Sequence, residues 1–163
     1  MNDSTPADPV SAMLRDHAFV AGFEPRHLHR LAAMAQEARF ERDQVIFREG
    51  DEWPRFYLIV SGMIAVEMAA PDHTIRVQTL FAGDELGWSG LLPGRGKYFQ
   101  ARTLERVEAL AFHGGELLAA CRDDPDFGFA FIYRMLAVVA ERLQATRLQI
   151  IDTYSPVAKR AGA

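Results

Sequence analysis

The chain is poor in the residues on which several common chemistries depend. Only one of its 163 residues is cysteine, Cys121. An internal disulfide, a multi-cysteine zinc site and an iron–sulfur cluster are therefore excluded, and the usage fits a reducing compartment. Excess positive charge is also missing. Eighteen Lys+Arg against 22 Asp+Glu give a net charge of −4, without the basic footprint that direct binding to DNA or RNA demands. No apolar run reaches the roughly 18 residues of a membrane span, and no charged segment with an apolar core marks a secretory signal. Histidines are few. His27 and His29 stand two apart on a predicted helix, about 200° around it, and are read as solvent-facing. His73 and His113 lie in the strand region but in no H-x-H pair, so a cupin-type metal enzyme lacks its ligands. What is present, 49% hydrophobic and 25% charged residues, is the composition of a folded domain, with a cytoplasmic location expected.

Taken in order, the chain reads as helices, then strands, then helices. A helix is predicted from Pro9 to Val20, with Asp8 as N-cap and Gly22 beyond its end. A second runs from Pro25, whose fixed φ suits a first helical turn, to about Gln36. After residue 37 the hydrophobic period shortens to that of a strand. Ala38–Phe40, Gln44–Phe47, Phe56–Val60, Met63–Met68, Thr74–Leu80, Phe99–Thr103 and Val107–Phe112 are the predicted strands, separated by turns rich in Gly, Asp and Pro. Their number and rhythm predict a mainly β fold with flanking helices: a jelly-roll barrel, or double-stranded β-helix. The expected divisions are a helical segment at 1–36, the barrel at 37–113, helices at 114–156 and a disordered tail at 157–163, too short for a DNA-reading domain.

One stretch interrupts the strand rhythm. Residues 83–102, GDELGWSGLLPGRGKYFQAR, hold five glycines and the cations Arg95, Lys97 and Arg102. Glycines permit close backbone approach and exposed amides, and cations among them suit a phosphate better than an apolar core.

The last element is predicted to be unusually long. Asp123-Asp124-Pro125 is a strong helix start, and no glycine follows Gly128 before Ser155-Pro156. Some 30 residues span about 45 Å, more than a barrel this size can bury. Ile132, Leu136, Val139, Leu143, Thr146, Ile150 and Thr153 recur at alternating steps of four and three, the spacing of a coiled-coil seam. A parallel homodimer through this helix is the favoured reading; an amphipathic helix lying wholly on its own barrel is the alternative. Phe131, Met135, Val138 and Leu148 lie off the seam and are expected to face the barrel.

Three fragments carry a resemblance. Val45-Ile46-Phe47-Arg48-Glu49-Gly50-Asp51, Phe56-Tyr57-Leu58-Ile59-Val60-Ser61-Gly62 and Phe81-Ala82-Gly83-Asp84, in this order and spacing, resemble the cyclic nucleotide-binding domain of the catabolite activator protein family. The resemblance covers about residues 19–154 and implies an eight-stranded jelly roll with a phosphate-binding cassette at 83–102 and a long dimerisation helix. Glu141-Arg142-Leu143-Gln144-Ala145-Thr146 is similar to the end of that family's long helix, where a threonine reaches the adenine. Thr146, followed by Arg147, takes that position. The family's cassette is a Gly-Glu-Leu followed about ten residues later by an arginine that pairs with the phosphate, and its glutamate accepts from the ribose hydroxyl. Two alignments remain open here. Anchoring on Gly83-Asp84 puts Gly87 on the family's glycine and Trp88 on its glutamate. Anchoring on Glu85-Leu86-Gly87 keeps Glu85 as the carboxylate. In both, Arg95 is the phosphate residue and Lys97 a flexible second cation, while Gly96 replaces a small hydroxyl residue.

The resemblance implies a regulatory domain, not an enzyme, that binds a cyclic nucleotide (cAMP or cGMP) or a related anion without a metal. Its ligand residues are expected to be Glu85, Leu86, Gly87, Trp88, Ser89, Arg95, Gly96, Thr146 and Arg147. Ligand capture is expected to signal through the dimer helix to a protein partner, without direct DNA or membrane binding. The alternative is a degenerate, ligand-free module in which Trp88, Tyr98 and Phe99 form a protein-binding patch.

Overall fold

The run Phe56-Tyr57-Leu58-Ile59 is apolar on both faces, and it decides how the layers stack. In the computed structural model, which describes residues 9–92, 94 and 96–154, this run is the centre of β3 (Arg55–Ser61). All four side chains are buried. Successive strand residues point to opposite faces. Phe56 and Leu58 join a core shared with the helices, whereas Tyr57 and Ile59 fill the barrel interior. The neighbouring β8 (Val107–His113) divides the same way, with Leu110 and Phe112 outward and Val107, Ala109 and Ala111 inward.

Around these two strands the described residues form two four-stranded antiparallel sheets. One has the order β1-β8-β3-β6 and the other β2-β7-β4-β5. The remaining strands are β1 (Gln36–Phe40), β2 (Val45–Phe47), β4 (Ile64–Ala69), β5 (Thr74–Leu80), β6 (Glu85–Leu86) and β7 (Gln100–Thr103). Helices α1 (Pro9–Arg15) and α2 (Pro25–Met34) precede them; α3 (Gly114–Asp123) and α4 (Pro125–Tyr154) follow. This is the jelly roll that the strand rhythm predicts. β6 is the strand the sequence reading missed, because two residues show no period.

The helices cover the outer face of the first sheet. Phe127, Phe131, Met135 and Val138 of α4 are buried there with Leu14, Phe19 and Leu31. Phe19 and Phe131 have ring centroids 5.6 Å apart, and Phe56 meets Phe131 edge-on at 6.0 Å, geometries that favour aromatic pairs.

Several local expectations need correction. The first helix ends at Arg15, and Ala18–Val20 is a separate 3-10 turn. His17 causes the break: its Nδ1 accepts from the Phe19 amide at 3.1 Å while Nε2 lies 2.9 Å from the Ile59 carbonyl. Those partners fix the neutral tautomer, and burial lowers the His17 pKa. The second helix ends at Met34, and Gln36 already belongs to β1. His27 is buried, not solvent-facing. It sits edge-on to the rings of Phe23 and Phe127, with centroids 6.4 and 5.8 Å away, and neither ring nitrogen has a hydrogen-bond partner among the described residues. Leu148 is exposed and does not face the barrel.

Candidate ligand-binding site

The Gly-rich stretch begins as a tight corner. The Asp84 carboxylate accepts from the Phe81 amide at 2.8 Å, and the Gly83 amide donates to the Ile59 carbonyl at 2.9 Å. The chain then pairs with β3 as β6, Leu58 opposite Glu85 and Tyr57 opposite Leu86. Gly87 turns it inward at φ +85°, where an added Cβ would lie 2.7 Å from the Arg55 carbonyl. Both the left-handed conformation and the close approach require glycine. Trp88–Leu91 follows as a four-residue 3-10 turn, closed by the Gly90 amide on the Gly87 carbonyl at 2.8 Å. It is backed by α3, so closely that a Cβ on Gly114 would stand 2.1 Å from the Gly90 carbonyl oxygen. Residues 85–91 thus form a corner wedged between β3 and α3.

Lys97 is the charge inside it. The side chain is not a flexible second cation: the residue is only 4% exposed. Its Nζ lies 3.3 Å from the Gly87 carbonyl and 3.2 Å from the Ser89 hydroxyl, and 4.8 Å from the centroid of the Phe47 ring. Among the described residues no carboxylate pairs with it. Burial alone lowers its pKa to about 8, because desolvation disfavours the ammonium form. Arg95 and Pro93 lie outside the described residues, so the predicted phosphate arginine has no placement here.

A chamber of about 780 Å³ separates this corner and the second sheet from α4. Strands β4 and β5 line it with Val66, Met68, Arg76, Val77 and Gln78. The Gly-rich stretch contributes Trp88 and Phe99; α4 contributes Val139, Arg142, Leu143, Thr146 and Gln149. Arg142 also donates to both the carboxylate and the main-chain carbonyl of Glu85, tying the helix to the residue just before the corner. Burial pushes the Glu85 carboxyl upward against the pull of that guanidinium.

The chamber therefore brings together Trp88 and Thr146 among the sequence-predicted residues. Glu85 sits beside it, held by Arg142. Leu86 is core, Ser89 is buried against Lys97, and Gly96 packs where a Cβ would be 2.9 Å from the Gly50 carbonyl oxygen. Arg147 is exposed and does not line the chamber. Arg142 and Arg76 were given no role by the sequence reading. For Arg142 a signal existed: it precedes Thr146 by four residues, and i and i+4 share a helix face.

The cyclic nucleotide-binding domain model matches residues 37–124, from β1 to the residue just past α3. The chain belongs to the cyclic nucleotide-binding domain family. A CRP-like cAMP-activated global transcriptional regulator of Mycobacterium tuberculosis is 26% identical over 132 residues, covering 80% of this chain and 57% of the relative. The chain thus spans a little over half the length of that curated relative. Among solved structures, a cyclic nucleotide-binding domain from Methylobacillus flagellatus superposes with a TM-score of 0.79 at 17% identity, covering 88% of this chain and 83% of that one. The catabolite activator protein of Thermus thermophilus gives 0.70 at 22% identity, over 84% and 63%. These likenesses show the fold. Among the described residues, no group of three or more His, Cys, Asp or Glu could hold a metal ion, and no helix is long and apolar enough to cross a membrane.

Proposed function

We propose that this cyclic nucleotide-binding domain is a regulatory module, not an enzyme. It binds a cyclic nucleotide or a related small anion in the chamber between barrel and α4, and passes the binding event along α4 to a second copy of the chain and a protein partner. One observation carries the reading: the chamber is lined from one side by Trp88 of the Gly-rich corner and from the other by Val139, Leu143 and Thr146, members of the helix's heptad seam. A ligand there touches corner and seam at once. Its differential contacts with the two packings of α4 are what can shift their populations.

The charges agree. Arg76 and Arg142 face the chamber and Lys97 lies beneath the corner, so an anion is the natural occupant. Along the same seam of α4, Ile132, Leu136, Val139, Leu143 and Ile150 are between 38% and 63% exposed, an apolar stripe suited to a parallel homodimer.

Titration calorimetry with cyclic AMP, cyclic GMP and a panel of small organic anions tests this. Binding tighter than about 0.1 mM, or about −5.5 kcal/mol, is expected for at least one. Thr146→Leu is expected to strengthen self-association in sedimentation while weakening that binding. If nothing in the panel binds and Thr146→Leu changes neither quantity, the chamber is not a ligand site.

A further inference from the structure

One histidine fastens the first helix to the barrel. His17 is buried, and both of its ring nitrogens are used. Nδ1 accepts from the Phe19 amide at 3.1 Å, and Nε2 donates to the Ile59 carbonyl at 2.9 Å. That carbonyl also accepts from the Gly83 amide, and the Ile59 amide donates to the Asp84 carbonyl, each at 2.9 Å. The N-terminal segment is therefore joined to the strand position from which the Gly-rich corner departs. From the other side Arg134 of α4 donates to the Phe19 carbonyl at 3.1 Å and to the Ala18 carbonyl at 3.4 Å.

This joint suits only the neutral ring. An imidazolium carries N–H on both nitrogens, so a proton on Nδ1 would face the Phe19 amide donor to donor. Two charged groups act on the ring from the elements around it: Asp84 favours its charged form and Arg134 opposes it. Burial outweighs both and lowers the pKa from the ordinary 6.5. A cavity of about 470 Å³ adjoins the ring, lined by the exposed Asp16 and by Ile59 and Gly83, and it gives a charged imidazole room to leave its partners. Little else holds α1, in which Leu14 is the one buried residue.

We propose that His17 is an acid-sensitive latch. Neutral, it fastens α1 to the strand that carries the corner; protonated, it swings into the adjoining cavity and frees α1 from the barrel. The latch is independent of what the chamber holds. Its direction follows from linkage: the opened segment takes up a proton more readily than the closed one, so acid favours opening. The opening constant rises by up to about tenfold per pH unit below 6.5, until the closed ring itself titrates.

Nuclear magnetic resonance on the full chain tests this through the ring nitrogens of His17 and through amide exchange between pH 7.5 and 5.0. The ring is expected to titrate below 6.5, with Nδ1 unprotonated at pH 7.5. After correction for intrinsic rates, the amides of Met13–His17 and Phe19 should exchange at least about threefold faster at pH 5.0, while those of Leu58 and Leu110 in the core do not change. His17→Asn keeps an acceptor for the Phe19 amide but cannot titrate, and it should abolish the acid step. A ring that titrates at or above 6.5 overturns the proposal, as does acceleration shared equally by the core amides. An acid step that survives in His17→Asn assigns it elsewhere, with the buried His27 the next candidate, and also overturns it. Should His17→Asn fail to fold, the ring titration and the Phe19 amide of the natural chain decide: midpoints that differ contradict the latch.

Discussion

The two halves of α4 belong to one helix and do opposite things. Up to Val138 the helix is an anchor: Phe127, Phe131, Met135 and Val138 are at most 7% exposed, pressed onto the aromatic layer of the first sheet. From Val139 onward it leaves that layer. Leu143, Leu148, Ile150 and Ile151 are more than half exposed, and a chamber opens between helix and barrel, bridged by the Arg142–Glu85 pair. The near half is held by burial of apolar area, which is insensitive to small ligands. The far half is tied to the barrel by the Arg142–Glu85 ion pair beside a cavity, which is where a ligand or a second chain can act.

The most severe way to sharpen that contrast is Phe131→Ala. Removing a fully buried ring should cost about 3–5 kcal/mol in urea denaturation, while Leu143→Ala in the far half stays within about 0.5 kcal/mol under monomeric conditions. Similar costs at the two positions would erase the distinction. Arg142→Met comes next. It strands a buried carboxylate and should cost about 3 kcal/mol, whereas Glu85→Gln, which keeps an acceptor for Arg142, should remain within about 1 kcal/mol. Equal losses would mean that the helix contact itself, not the buried charge, sets the cost.

Lys97 gives a pH test on the corner facing the far half. Its pKa falls from 10.5 to about 8 on folding, so between these values the unfolded chain binds more protons than the folded one. Stability from this group therefore rises as pH increases from about 8 to 10.5, by up to roughly 3 kcal/mol. Lys97→Met should remove that rise. An unchanged pH profile would show that the ammonium is not desolvated. The smallest of these effects concerns association. Leu143→Glu should weaken the proposed dimer about 100-fold, equivalent to about 2.7 kcal/mol, with monomer stability unchanged. Sedimentation equilibrium separates this from a stripe that meets no second chain.

Much of this division was legible in the sequence, for a physical reason. Long elements carry period: α4 runs from Pro125 to Tyr154 because a proline opens it and no breaker follows Gly128. The burial of Phe131, Met135 and Val138 and the exposure of the seam both follow from spacing. Short or three-dimensional features were not legible. β6 has two residues and exists only because β3 lies beside it. His27 looked like a surface histidine until Phe23 and Phe127 closed over it. Lys97 looked mobile among glycines, yet Phe47, fifty positions earlier, covers it. At the site, Trp88 and Thr146 were named and do share the chamber. Arg142 was passed over because its partner Glu85 lies 57 residues away in the chain.

The central claim is that a ligand in the chamber acts on the far half of α4 and not on the near half. Amide hydrogen exchange, with and without saturating cyclic AMP or whichever anion of the calorimetry panel binds, tests it most directly. Slower exchange confined to the Gly87–Leu91 corner and to Val139–Ile150, with Phe127–Val138 unchanged, is the predicted result. A saturating ligand that protects the near half equally, or that leaves both the corner and Val139–Ile150 unprotected, would contradict it.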